Sequence, residues 1–174
     1  MGPLAIGTDG GGSVRIPCSF TGLFGIKPTF GKIPAWPLSP FGTIANLGPM
    51  TRTVKDGAML FAQISKPDWR DWHADSSMSS NFLNRLGEGI KGKKIAYCKD
   101  FGMSHNWNEN RIENDVAMNV ENATKVLEGL GAHIEEINIT WESDPTKAFH
   151  VLWTSGAAFL SKDFTDEEKD LLDP

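Results

Sequence analysis

The sequence predicts an α/β protein, because strand, helix and strand signals follow one another in its second half. Residues 94–98 form a short apolar run typical of a strand, and residues 133–139 carry alternating isoleucines that indicate another. Between them, apolar residues recur at helical spacing from Val116 to Leu130, and Gly131 stands at the usual C-terminal stop. A strand, helix and strand of this length predict parallel pairing with a right-handed crossover.

Residues 1–65 are expected to form the first segment of a partial domain that spans the whole chain. It is expected to begin with a glycine-rich loop at residues 7–17 and a strand at residues 21–26, which contains Gly22 and Gly25. A loop at residues 35–50 is expected to follow. The segment is expected to end with a helix that is capped by Thr53 and Asp56 and stops before Pro67. Glycine inside a strand indicates that a neighbouring segment packs closely against it.

Residues 66–90 are polar and predict a surface excursion, and residues 91–174 complete the domain with the strand–helix–strand unit and further helices. Asp144 and Pro145 are typical of a helix N-cap and first position. The apolar positions expected to form the buried face of that helix are Ala148, Phe149, Leu152, Trp153 and Ala157. The run Thr-Asp-Glu-Glu at residues 165–168 predicts a capping box before a short acidic helix.

Composition and charge are those of an ordinary globular protein. The 174 residues are 40% hydrophobic and 22% charged, which suits one domain or part of one. The net charge is −5 and no basic cluster exceeds three lysines, at residues 91–94, so no nucleic-acid partner is predicted. No apolar run approaches membrane-spanning length and no signal peptide is recognisable, so a cytoplasmic protein without a membrane partner is expected. Cys18 and Cys98 are expected to be free, buried thiols.

The most informative motif is G-T-D-G-G-G-S-V-R-I-P at residues 7–17. Glycine has no β-carbon, so it takes positive φ readily and lets the backbone pass close to a ligand. Consecutive amides that turn inward form a concave set of N–H donors for a phosphate or an oxyanion. Ser13 directly follows Gly10, Gly11 and Gly12, where a nucleophile would attack a carbonyl that those amides polarise.

Four interpretations of this motif compete. A phosphate-binding loop requires a lysine before the serine, and a nucleophile elbow requires a glycine where Arg15 stands, so both are set aside. An acyl-transfer serine with a backbone oxyanion hole and a base other than histidine stays open. The alternative without chemistry is a glycine-rich turn in which Ser13 caps a helix.

After the motif, residues 18–34 read C-S-F-T-G-L-F-G-I-K-P-T-F-G-K-I-P. Residues 1–34 resemble the amidase signature family over their full length. Residues 48–56, G-P-M-T-R-T-V-K-D, look like the family's next recognisable block, and residues 91–97 and 130–136 are similar to its more variable central part. The resemblance weakens after about residue 140. It implies an α/β/α fold with a central mixed sheet, present here only in part, and a hydrolase that converts a carboxamide to a carboxylate without a cofactor.

By this resemblance Ser13 is the acylated nucleophile, and the amides of Gly10, Gly11, Gly12 and Ser13 form the oxyanion hole. The family's proton carriers are a lysine and a second serine with a cis peptide bond, and both match positions upstream of Met1. Lys27 matches a later position and is not expected to be the base. The chain is therefore expected to be a piece of a longer amidase that is inactive alone, and whose unpaired sheet edges favour self-association.

Asp9 and Arg15 flank the glycine turn, and they are expected to hold its curvature through an ion pair or hydrogen bonds. Thr8 is expected to support the same network. The alternative is that Asp9 and Arg15 simply face solvent. The four histidines, His105 among them, share no ligand spacing with each other or with the cysteines, so no metal site is predicted.

Two other functions stay open beside a small-molecule amidase. The first is the glutamine-hydrolysing subunit of a tRNA-dependent amidotransferase, which requires partner subunits. The second is a catalytically inactive structural fragment whose interactions are those of an exposed sheet edge.

Overall fold

The computed structural model describes residues 2–75, 82–102 and 112–172, and the chain divides into two compact units. The first unit comprises Met1–Leu86 with Thr146–Pro174, and the second comprises Gly87–Pro145. Part of the predicted surface excursion and the histidine at position 105 lie outside the described residues. Within the described ranges, no helix has both the length and the apolar composition needed to cross a membrane.

Strands and helices are interspersed along the chain. In order they are β1 (Leu4–Asp9), α1 (Arg15–Thr21), β2 (Phe24–Gly25), β3 (Asn46–Thr51), α2 (Val54–Ile64), β4 (Lys94–Tyr97), α3 (Asn114–Gly129), β5 (His133–Glu136), α4 (Thr146–Leu160) and α5 (Asp166–Lys169), with short 3-10 turns at Gly42–Ile44 and Leu83–Arg85. The predicted α/β class is confirmed. The strands of the described residues form one antiparallel sheet and one parallel pair.

The first unit is built on an antiparallel sheet with the order β1-β3-β2. Its central strand β3 contradicts the predicted loop at residues 35–50, which ends at Ala45. Glycine and proline are depleted in strands, so Gly48 and Pro49 concealed β3 from sequence reasoning. The strand tolerates both residues. A β-carbon on Gly48 would lie 2.1 Å from the carbonyl oxygen of Ile26, so only glycine fits there, and the Pro49 carbonyl accepts a hydrogen bond from the Ile26 amide.

The strand predicted at residues 21–26 is wrong at its start. Helix α1 continues to Thr21, and Gly22 ends it in the left-handed conformation, with φ 65°. The close packing expected at Gly25 is present, because a β-carbon there would lie 2.5 Å from the sulfur of buried Cys18. The run is therefore a helix end, a turn and a two-residue strand.

Helix α2 confirms the predicted helix after residue 53. The Thr53 hydroxyl accepts a hydrogen bond from the Asp56 amide at 3.1 Å and donates one to the Asp56 carboxylate at 2.8 Å. Its buried face, which includes Gly57 and Phe61, packs against β3. A β-carbon on Gly57 would lie 2.4 Å from the ring of Phe24, so only glycine lets the helix come this close to the sheet.

The second unit confirms the strand–helix–strand prediction. Strands β4 and β5 pair in parallel and α3 connects them, although β5 ends at Glu136, before the predicted residue 139. Gly131, with φ 90°, follows the C-cap Leu130 as expected. Its amide donates to the Glu128 carbonyl and the next amide donates to the Leu127 carbonyl, which is the hydrogen-bond pattern of the Schellman motif.

The buried face predicted for α4 is wrong. Its one buried residue is Gly156, whereas Ala148, Leu152, Trp153 and Ala157 are exposed and Phe149 is half-buried. The helix comes close to the unit at Gly156, where a β-carbon would lie 2.4 Å from the ring of Phe41, and Trp153 of the same helix also contacts that ring. The capping box predicted at residues 165–168 is confirmed at the start of α5.

Candidate active site

The glycine-rich loop connects the end of β1 to the start of α1. Residues 10–14 form bends and a turn, and Ser13 is exposed. Gly12 has φ 128°, and a β-carbon on it would lie 2.6 Å from the Ile16 side chain, so only glycine fits there. The N-cap of α1 is Val14, without a side-chain capping hydrogen bond, so the alternative in which Ser13 caps this helix is wrong.

Asp9 organises the loop from inside. It is 1% exposed, which excludes the alternative that it faces solvent. One carboxylate oxygen accepts hydrogen bonds from the Gly12 amide at 2.7 Å and Arg15 Nη2 at 2.9 Å. The other accepts from Arg15 Nε at 2.9 Å and from the amides of Val14 and Arg15, both at 3.3 Å. The carboxylate thus ties together both ends of the turn that presents Ser13.

These contacts fix the charge state of the pair. The hydrogen bonds from the Arg15 guanidinium and from the amides of Gly12, Arg15 and Val14 together lower the pKa of Asp9 to about 2, against the opposing effect of burial. The pKa of Arg15 is raised by the same hydrogen bonds. Asp9 is therefore a carboxylate with five donors at neutral pH, and it is a poor proton acceptor for a serine hydroxyl.

The candidate oxyanion amides differ in availability. The N–H of Gly12 donates to Asp9 at 2.7 Å, so it does not point at a substrate oxygen. This leaves the amides of Gly10, Gly11 and Ser13 as the candidate donors.

Thr8 lines the cavity beside the loop, but it takes no part in the Asp9 network. Within the described residues this network runs through Gly12, Val14 and Arg15 and does not include the Thr8 hydroxyl. The catalytic roles of all these residues remain predictions.

A cavity of about 250 Å³ opens beside Ser13. Its lining residues are Thr8, Asp9, Gly10, Ser13, Ala35, Pro37, Ser39, Phe41, Ala45, Asn46, Leu47 and Trp153. Sequence reasoning missed Phe41 and Trp153 as site residues, because it treated the first as part of a loop and the second as part of a buried helix face. Trp153 lies far from Ser13 in the sequence, so neither spacing nor periodicity connects the two residues.

A smaller cavity of about 130 Å³ adjoins the first and shares five lining residues with it: Ala35, Ser39, Ala45, Asn46 and Leu47. Asp71 and His73 lie at its edge. The buried carboxylate of Asp71 accepts hydrogen bonds from the amides of Ala35 and His73, so it supports the loop that lines both cavities. In the described part of the chain, no three histidine, cysteine or acidic side chains are grouped as metal ligands would be.

Comparison with known proteins identifies the family of the chain. The family described as Amidase matches residues 1–173. A glutamyl-tRNA(Gln) amidotransferase subunit of Pediococcus pentosaceus is 39% identical over 155 residues, which are 88% of this chain and 31% of that protein. The chain thus spans about a third of the length of the curated relatives that it matches.

Solved structures give the same result for the fold. A bacterial aryl acylamidase, described as an amidase signature enzyme, superposes with a TM-score of 0.76 at 27% identity, over 98% of this chain and 34% of that one. The corresponding glutamyl-tRNA(Gln) amidotransferase subunit of Thermotoga maritima superposes with a TM-score of 0.72 at 30% identity, over 97% of this chain and 36% of that one. The chain belongs to the amidase signature family.

Proposed function

We propose that these residues carry the nucleophile and the oxyanion hole of an amidase that cleaves a carbon–nitrogen amide bond through a serine acyl-enzyme. The observation that carries the proposal is the exposed Ser13 at the edge of a cavity, at the end of a glycine loop that a buried carboxylate holds in shape. The family membership supports the same assignment.

The proposed reaction begins when Ser13 Oγ attacks the carbonyl carbon of the amide. The oxygen of the tetrahedral intermediate is stabilised by the amides of Gly10, Gly11 and Ser13. Collapse of the intermediate expels ammonia or an amine, and water then hydrolyses the acyl-serine to a carboxylate. Such backbone donors act without reorganisation only if the loop is held rigid, which is the role we assign to Asp9 and Arg15.

The proton acceptor is proposed to be the serine–lysine pair of the family, at positions that match no residue of this chain. Among the described residues that line the cavity, Asp9 is the one ionisable side chain, and its low pKa makes it unsuitable as the base. A serine hydroxyl is a weak nucleophile without an adjacent base. The 174-residue chain alone is therefore expected to be inactive.

The test is the Ser13→Ala substitution in the full-length protein, assayed on propionamide, benzamide and indoleacetamide. The variant should lose hydrolysis while its circular dichroism spectrum stays unchanged. Full activity of Ser13→Ala would refute the nucleophile assignment. Turnover by the 174-residue chain that disappears on Ser13→Ala would instead show that these residues contain a base.

A second candidate function is the glutamine-hydrolysing component of a tRNA-dependent amidotransferase. It is favoured by the 39% identity to a protein named as a glutamyl-tRNA(Gln) amidotransferase subunit. In this case the full-length protein should release ammonia from glutamine, and its activity should depend on partner subunits. Glutamine turnover that exceeds turnover of simple amides would favour this candidate over the first.

A further inference from the structure

From the cavity wall we infer that the substrate carries an aromatic ring close to the scissile amide bond, and that Trp153 selects for it. This inference rests on the proposed amidase function, which it deepens by naming the substrate class. Trp153 comes from α4, far along the chain from the glycine loop, yet it lines the same cavity as Ser13. It is therefore a candidate specificity residue and not a catalytic one.

The ring of Trp153 lies directly over the glycine loop. A β-carbon added to Gly10 would lie 3.2 Å from Trp153 Cζ3, and one added to Gly11 would lie 3.7 Å from the same atom. Gly10 and Gly11 also contribute two of the three candidate oxyanion amides. A substrate whose carbonyl oxygen meets these amides would therefore bind close to the indole ring.

Phe41 continues this aromatic wall. Its ring centroid lies 4.8 Å from that of Trp153, with an angle of 32° between the planes. Phe149 stacks on Trp153 from the same helix, at 5.5 Å and 21°. Neighbouring rings at these distances hold the indole in place, because aromatic pairs at roughly 4.5–7 Å attract one another. Trp153 keeps 37% of its surface exposed, so part of the ring is free to contact a ligand.

The charge and size of the cavity agree with an uncharged aryl group. Among the described residues that line it, Asp9 alone is charged, and its carboxylate is already saturated by five hydrogen bonds. The cavity of about 250 Å³ is larger than the roughly 150 Å³ in which an apolar protein cavity holds benzene. An aromatic ring fits there and gains stacking contacts that an alkyl group of the same size lacks.

The ring can belong to either side of the amide bond, and the substrates of the test distinguish the two cases. Benzamide and indoleacetamide carry it on the acyl side, whereas acetanilide carries it on the leaving amine. Propionamide is the reference without a ring. We expect the full-length protein to have a higher kcat/KM for at least one of the aromatic amides than for propionamide.

The variant is Trp153→Leu, which keeps an apolar side chain on α4. It should lower the preferred aromatic kcat/KM relative to that for propionamide by roughly three- to tenfold, the range that one aromatic pair contributes. Trp153→Phe should restore most of the preference. Trp69→Leu is the matched control, because Trp69 is 91% exposed and does not line the cavity.

A binding measurement makes the test independent of turnover. The aromatic amide with the highest kcat/KM among benzamide, indoleacetamide and acetanilide should bind more weakly to the Ser13→Ala, Trp153→Leu double variant than to Ser13→Ala in isothermal titration. Equal binding to both, or an equal loss of activity on aromatic and aliphatic amides, would overturn the role of Trp153. Retention of activity by Ser13→Ala would overturn the proposed function instead, so the two failures are distinguishable.

Discussion

Replacement of Asp9 by asparagine is the sharpest test of how the loop is held. The side chain keeps its size, but it loses its charge and places an NH₂ group where five donors already converge. Its carbonyl can still accept one or two of these hydrogen bonds. The guanidinium of Arg15 and at least one backbone amide then lose their acceptor.

The structure gives the size of this effect. The pKa of Asp9 falls from 3.8 to about 2, which corresponds to about 2.5 kcal/mol of preferential stabilisation of the carboxylate. Removing one partner from a buried ion pair costs about 3–5 kcal/mol, and the exposed side of Arg15 reduces that cost through solvation. We therefore expect Asp9→Asn to lower the free energy of unfolding by about 2–4 kcal/mol.

The assay is urea denaturation at pH 7, followed by circular dichroism, with Asp68→Asn as the matched control. Asp68 also pairs with an arginine two residues away, but that pair lies at the surface and both partners are solvated. Its variant should unfold close to the wild-type midpoint. If Asp9→Asn were no less stable than Asp68→Asn, the claim that this carboxylate holds the loop would be wrong.

The structure and the sequence support four further predictions. The pKa of Asp9 is lower in the folded state than in the unfolded state, so its contribution to stability should be complete above about pH 4 and should decline by about 2 kcal/mol as pH falls towards 2. Urea denaturation at a series of pH values should show this decline in the wild type and not in Asp9→Asn. Gly156→Ala should lower the free energy of unfolding by about 1–3 kcal/mol despite better helix propensity, because its β-carbon would meet Phe41 at 2.4 Å. Gly129→Ala is the control, because its β-carbon would meet open space and the variant should be more stable. Equal thermal midpoints for the two variants would contradict the packing of α4. The 174-residue chain should release no ammonia from propionamide or benzamide above background, and Ser13-dependent turnover would disprove this. The same chain should self-associate through exposed apolar surface such as Phe20, which is 87% exposed, and a clean monomer in light scattering at roughly tens of micromolar would count against this.

The glycine loop was predictable because the residues that shape it lie close together in the sequence. Three glycines before a serine let the backbone turn where a β-carbon would clash, and the acidic and basic residues that flank them lie close together in the sequence. The same holds for the caps at Thr53 and Thr165, where a side chain meets an amide three residues away. Contacts of this range depend on sequence spacing, so a motif is enough to find them.

Elements that depend on distant partners could not be found in this way. Gly48 and Pro49 disfavour a strand by local propensity, and β3 forms there because β1 and β2 pair with it on both sides. Helix α4 has apolar residues on every face, and the side that packs is the one where Gly156 admits the ring of Phe41. Propensity and periodicity do not register a partner that approaches from elsewhere in the chain.

The sequence by itself determined the family, the α/β class, and the position of Ser13 behind three glycines, because these depend on residue types and spacings within short segments. The tertiary structure alone decided that the Gly12 amide serves Asp9, and it brought Trp153 and Phe41 to the same cavity as Ser13. The physical reason is that hydrogen-bond saturation and cavity walls are properties of groups assembled from distant parts of the chain.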